Sequence, residues 1–267
     1  QEAMDQIGAV LGPLMLFLTL AVKGREEKLS AYAFSFLILG IPAVITLALV
    51  FFARFKYPRP HEFEKDDPNP VPKRFHRAYW FYLVGIAFLA AGFADFPLMA
   101  FHFAKTGLLP DALVPVLYAV AMGVDAVAAL VFGRLYDRRG MGAIVLSSLI
   151  SAFFAPFVFL GHSVVTAVVG MVLWGIGMGA QESILKAAVT TIVSKEKRGT
   201  AFGIFNTAFG AFWFLGSWLM GVLYDRSILA LVIFSFLAQL AALPLFSHSG
   251  RLLRRTAEAS SQTSAGN

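Results

Sequence analysis

Charged residues come in bunches along this chain, and the stretches between them are apolar and long. Residues 31–53, 78–94, 199–224 and 227–250 contain no Asp, Glu, Lys or Arg, and Met141–Gln181 runs for 41 residues without one. A helix needs about 20 apolar residues to cross a hydrocarbon core about 30 Å thick. As a single helix the 41-residue run would reach about 60 Å, so it is expected to fold back once, at Gly161-His162-Ser163. The pattern predicts eight spans, at about 3–22, 31–53, 78–101, 112–133, 143–161, 163–193, 201–223 and 228–247. One connection is long and polar: residues 54–77 carry five prolines and read as an extended hydrophilic linker. The tail after Ser249 ends in SSQTSAGN and is expected to be disordered.

Composition sharpens this into an all-α, multi-pass membrane protein. Hydrophobic residues make up 58% of the 267 and charged residues 14%, against about 25% charged in soluble domains. The formal charge of +6 is read as loop anchoring rather than nucleic-acid binding, because Lys and Arg concentrate on the cytoplasmic side of membrane proteins. With the N-terminus and the 54–77 linker on one side, that side carries 16 basic residues and the other 5, with Lys186 inside a span. The 16-charge side, including both termini, is therefore expected to be cytoplasmic, and the membrane the cell's plasma (inner) membrane. There is no cysteine, so a thiolate-ligated metal or a disulfide is excluded. The start, Gln1-Glu2-Ala3-Met4-Asp5, lacks the basic region of a signal peptide.

Ionisable groups inside a membrane are costly, about 2.5–3.5 kcal/mol at mid-helix on insertion scales, and they mark pathways. Asp95, followed by Phe96-Pro97 in the third span, serves either a substrate or proton site or the backbone that the proline frees. Asp125 sits near the middle of the fourth span, as a functional carboxylate or a polar contact between helices. Glu182 and Lys186, four apart in the sixth span, are placed to pair, with the acid on the favourable N-terminal side. A pair that a proton or substrate displaces is a switch; an undisturbed one is glue. Asn206 and Thr207, early in the seventh span, hydrogen-bond a ligand or a neighbouring helix. Trp174-Gly175-Ile176-Gly177-Met178-Gly179-Ala180 superficially resembles a dinucleotide loop but follows no strand. Its Gly175-x-x-x-Gly179 spacing, like Gly8-x-x-x-Gly12, permits close helix packing instead. The five histidines, 61, 76, 102, 162 and 248, fall in loops or near helix ends and are expected at the surface; none has metal-ligand spacing. No metal site and no cofactor is predicted.

A short element repeats. Gly133-Arg134-Leu135-Tyr136-Asp137-Arg138 returns as Gly221-Val222-Leu223-Tyr224-Asp225-Arg226, three spans later. An odd number of spans between them puts the copies on opposite faces. Spans three to eight then read as two inverted triplets, as in many secondary transporters, unless the match is only a shared way of ending helices.

With its following Arg139 and Gly140, the first copy resembles the cytoplasmic signature Gly-x-Leu-x-Asp-Arg-x-Gly-Arg-Arg of the major facilitator superfamily, although Met141 and Gly142 replace its basic end. The N-terminal Ala3–Pro13 is similar to that family's fifth helix; its Gly8-x-x-x-Gly12-Pro13 continues with Met15-Leu16 where an antiporter signature has Gly-Gly, so antiport is not inferred. The resemblance implies a partial family fold. Residues 1–53 would be the last two helices of an N-terminal bundle, 54–77 the central cytoplasmic linker, 78–247 a complete C-terminal six-helix bundle and 248–267 the tail, with four N-terminal helices of the longer chain missing. It also implies a gate element at Gly133, Asp137, Arg138 and Gly140, acting by charge and helix-end contacts. The expected function is secondary transport of a small solute by alternating access, coupled to protons because three carboxylates lie within the spans and no phosphate-binding loop is present. A non-transporting sensor or scaffold is the alternative. A membrane enzyme is not expected, since neither Gly-x-Ser-x-Gly nor His-Glu-x-x-His occurs.

Overall fold

A computed structural model describes residues 2–23, 28–56 and 76–265. Helices α1 (Glu2–Lys23) and α2 (Lys28–Lys56) are followed by the six-span bundle. Its first span is divided into α3 (Arg77–Gly92) and α4 (Phe96–Thr106), and its second is α5 (Val114–Arg139). The third consists of α6 (Met141–Ala152) and α7 (Phe154–Phe159). The fourth runs as α8 (Val164–Ala180), a π-helical turn (Gln181–Leu185) and α9 (Lys186–Ile192), and the last two are α10 (Arg198–Arg226) and α11 (Ile228–Ala265). Among the described residues, seven spans are long and apolar enough to cross a membrane, and α1 adds a shorter apolar stretch, Val10–Thr19. The eight expected spans are thus present. Most of the 54–77 linker lies outside the described residues.

Local chemistry sets the boundaries. The expected reversal at 161–163 is fixed by a capping box, in which the Ser163 hydroxyl accepts from the Thr166 amide and the Thr166 hydroxyl from the Ser163 amide. Gly107, in the left-handed region at φ 64°, closes α4. The expected disordered tail is instead helical as far as Ala265. After Gly250 the sequence offers good helix formers and no proline, and Leu252 and Leu253 pack against the core.

The helices associate as two interleaved triplets. In α3/α4–α5–α6/α7 and α8/α9–α10–α11, the middle helix of each packs on the first helix of the other: α5 on α8, and α10 on α3. The last helix of each does the same, α6/α7 on α8 and α11 on α3. The repeated tyrosines follow this exchange. Tyr136, on α5, donates to Thr191 Oγ1 on α9 at 3.3 Å, and Tyr224, on α10, bonds to His102 Nδ1 on α4 at 3.0 Å. Tyr136 belongs to a core cluster with Met141, Val193 and Ala201, and Tyr224 to another with Phe103, Leu109 and Leu231. The two copies therefore lie at opposite ends of the bundle.

Close approach between α5 and α8 depends on Gly175 and Gly179. A Cβ at Gly175 would stand 2.4 Å from the Ala121 carbonyl oxygen, and one at Gly179 2.2 Å from that of Asp125. Gly8 and Gly12 behave otherwise: α1 packs along α5 and α2, yet nothing lies within 4 Å of a Cβ at either glycine. The spacing permits close packing, and among the described residues no helix uses it. Apolar side chains cover the outside, as in Leu37 of α2 and Phe214 of α10, which suits a hydrocarbon solvent.

Candidate functional site

The first helix of each triplet is irregular, and the site is built where the two irregularities meet. Between α3 and α4 the helix opens at residues 93–95, with Asp95 extended (ψ 146°) and Pro97 in the first turn of α4. The opening frees carbonyl oxygens inside an apolar bundle, where an unsatisfied polar group costs several kcal/mol. Each has a donor. Gly92 O accepts from Ser235 Oγ at 2.6 Å and Gln239 Nε2 at 3.4 Å, and Ala94 O from Trp174 Nε1 at 2.9 Å. Asp95 makes no capping bond with its side chain. Its carboxylate accepts instead from Trp213 Nε1, on α10.

The second irregularity is the π turn Gln181–Leu185. Such turns shift the side-chain register by one position and recur at functional sites. Here it presents Gln181 and Glu182 to a cavity of about 390 Å³, bounded also by Met178, Lys186, Phe205, Asn206, Phe209 and Trp213. Phe205, Phe209 and Trp213 recur every four residues and form an aromatic wall on one face of α10, with ring centroids 6.0 and 5.2 Å apart.

Four of the five expected pathway residues come together here. Glu182, Lys186 and Asn206 line the cavity, and Asp95 reaches it through Trp213. Asn206 is exposed and faces the cavity. Asp125 stands apart. It is fully buried between α5 and α8, its Oδ1 2.8 Å from where a Gly179 Cβ would be. Of the residues expected to form the gate, Gly133, Asp137 and Arg138 lie in the last turns of α5, with Asp137 and Arg138 exposed, and Gly140 caps its end at φ 55°.

Two site residues escaped the sequence reading. Gln181 is 6% exposed, and neither its amide nitrogen nor its oxygen has a hydrogen-bond partner among the described residues. The available signal was a glutamine ending an otherwise apolar run. Trp213 was signalled only by the four-residue aromatic spacing. The histidine expectation also needs correction: His102 is buried, 3% exposed, because Tyr224 satisfies its ring. His76 caps α3, accepting from the Ala78 amide, and His162 is exposed, while His61 lies outside the described residues.

Eight apolar spans among the described residues, two of them interrupted beside a cavity of mixed polar and aromatic lining, define a multi-pass helical membrane protein. The profile of the Major Facilitator Superfamily matches residues 1–217. The chain belongs to this superfamily, whose members are membrane transporters. Among similar proteins are Uncharacterized protein Mb2288 of Mycobacterium bovis and Uncharacterized protein Rv2265 of Mycobacterium tuberculosis. Each is 36% identical over 248 residues, which cover 91% of this chain. The chain spans 59% of the length of these relatives.

Proposed function

We propose that the natural protein is a proton-coupled secondary transporter that moves a small polar solute by alternating access, and that this chain supplies its complete six-helix half. The observation that carries the reading is the convergence of Glu182, Lys186, Asn206 and the buried amide of Gln181 on one cavity with an aromatic wall. The cavity volume falls within the range of small-molecule sites, about 300–1,000 Å³. Gln181 offers two donors and an acceptor, so the solute is expected to present both an acceptor and a donor to it. Glu182 is the proposed proton carrier and Lys186 the cation that competes for its charge. Asp95, held by Trp213, sets the α3–α4 break against the cavity. Asp125 tunes the packing of α5 on α8, and the Asp137–Arg138 turn belongs to the gate at the end expected to be cytoplasmic. The helices that complete the other half of the cavity would come from the rest of the longer chain, against the exposed face of α10.

The test is uptake of a panel of radiolabelled small solutes into proteoliposomes holding the whole natural chain, with and without an inward proton gradient. At least one solute should accumulate only with the gradient. Glu182→Gln should abolish that accumulation while leaving exchange of labelled for unlabelled solute intact. Equal transport with and without the gradient, in both directions, would remove the proton; an unaffected Glu182→Gln would remove that residue; no transport of any solute would remove the reading.

A further inference from the structure

At the bundle end that carries the first Gly-x-Leu-Tyr-Asp-Arg copy lies a second cavity, of about 410 Å³, away from the solute site. It is bounded by the α5–α6 turn (Tyr136 to Gly142), by Thr191 at the end of α9, and by one face of α11. On α11 the lining positions are Ser247, Gly250, Arg251 and Arg254, spaced as one helical stripe, and Leu253 beside it. Three guanidinium groups therefore surround the cavity, those of Arg139, Arg251 and Arg254. All three residues are exposed, and none hydrogen-bonds or ion-pairs with another described residue. No Asp or Glu lines the cavity. The nearest acid on α5, Asp137, is exposed on the preceding turn.

The position of the cavity is set by the length of α11. Its 38 residues extend about 57 Å, nearly twice a hydrocarbon core. Counting about 20 residues from Ile228 places the core's edge near Ser247, so Arg251 and Arg254 stand at headgroup level. Beside them the lining is apolar, with Met141, Val145 and Leu253. A rim of arginines over an apolar wall is amphipathic, which matches a lipid better than a soluble anion. Arginine is suited to this because its fork binds phosphate oxygens in pairs, and basic pockets between membrane helices are known places for anionic headgroups.

We propose that this cavity binds the phosphate headgroup of an anionic phospholipid through Arg139, Arg251 and Arg254, with the upper acyl chains against Met141, Val145 and Leu253. The bound lipid ties the end of α11 to the α5–α6 turn. That turn continues directly from the gate residues, so lipid charge bears on it.

The experiment is native mass spectrometry of the whole natural chain released from nanodiscs of phosphatidylglycerol mixed with phosphatidylethanolamine. Phosphatidylglycerol should be retained preferentially. Each of Arg139→Gln, Arg251→Gln and Arg254→Gln should weaken retention about five-fold, and the triple variant on the order of 100-fold. Arg134→Gln, which removes a neighbouring charge outside the cavity, should change it less than two-fold if the built site holds the lipid. A size-exclusion profile and thermal midpoint checked on every variant separate lost lipid from lost fold. Should the triple variant unfold, a Leu253→Trp variant, which crowds the acyl wall and keeps all three charges, is expected to lower retention on its own. Equal loss with Arg134→Gln would replace the site with diffuse surface charge. Displacement of the lipid by about 10 mM inorganic phosphate, at matched ionic strength, would assign the site to a soluble anion. Equal retention of both lipids would overturn the proposal.

Discussion

Replacing Gly179 by alanine adds one carbon where α5 and α8 have no room for it. The new Cβ would lie 2.2 Å from the carbonyl oxygen of Asp125, 2.8 Å from its carboxylate Oδ1 and 2.9 Å from the Ala129 amide. Two of these three atoms are backbone, so no rotamer change relieves the contact. Restoring even a 3.0 Å separation requires the helices to part by about 0.8 Å. Overpacking of this kind costs about 1–3 kcal/mol, which for a chain of this length lowers the thermal midpoint by roughly 2–4 °C per kcal/mol. Gly175→Ala meets the Ala121 carbonyl at 2.4 Å on the same interface, so one helix displacement relieves both. The double variant should therefore lose less than the sum of the two single losses. Gly8→Ala and Gly12→Ala are the internal control: the same motif with nothing within 4 Å, where alanine should be neutral or stabilise the helix by up to about 1 kcal/mol. The assay is thermal unfolding of the purified variants in nanodiscs, followed by tryptophan fluorescence. An unchanged midpoint for Gly179→Ala, or equal losses at Gly12 and Gly179, would refute the packing geometry.

Trp213→Phe keeps the aromatic wall but removes the donor to the Asp95 carboxylate, leaving an acceptor in an apolar bundle at a cost of about 1–3 kcal/mol. Destabilisation in that range is expected, and Asp95→Asn in the same background should recover part of it; no recovery would mean that the pair contributes little. The six-helix bundle should move as one body: spin labels at Lys105→Cys on α4 and Leu229→Cys on α11, in a chain with no native cysteine, should give a single distance population between pH 5 and pH 8. Two populations that exchange with pH would place the conformational change inside the bundle.

The order of spans was legible because hydrophobic run length is a strong and local signal. So was the reversal at Gly161-His162-Ser163, since serine capping needs only three neighbouring residues. The cavity was half legible. Glu182, Lys186 and Asn206 announced themselves as polar groups in apolar runs, but their meeting depends on α10 packing beside the π turn, which involves residues about twenty apart on different helices. The π turn left no mark, because inserting one backbone register changes no composition. His102 was misjudged for the same reason: its burial depends on Tyr224, 122 residues away. Gly8 and Gly12 show the limit of such a signal. A small-residue motif reports what backbones are able to do, and the neighbour decides whether they do it.

The hydrogen bonds at the two irregular segments explain why the bundle should behave as one body. The α3–α4 break belongs to the first triplet, yet the donors to its exposed oxygens, Trp174, Trp213, Ser235 and Gln239, all come from the second. In return Tyr82, on α3, donates to the Leu185 carbonyl at the end of the π turn, at 2.6 Å. Each triplet thus satisfies the broken helix of the other. Sliding one triplet against the other would strand several polar groups in hydrocarbon at once, at several kcal/mol each, more than the coupling energies of about 1–3 kcal/mol typical of ligand-driven shifts. Any alternation between states is therefore expected at surfaces without such bonds. The face of α10 that carries Phe214 and Trp218 is one, apolar and exposed, and it adjoins the wall of the cavity that Phe209 and Trp213 form.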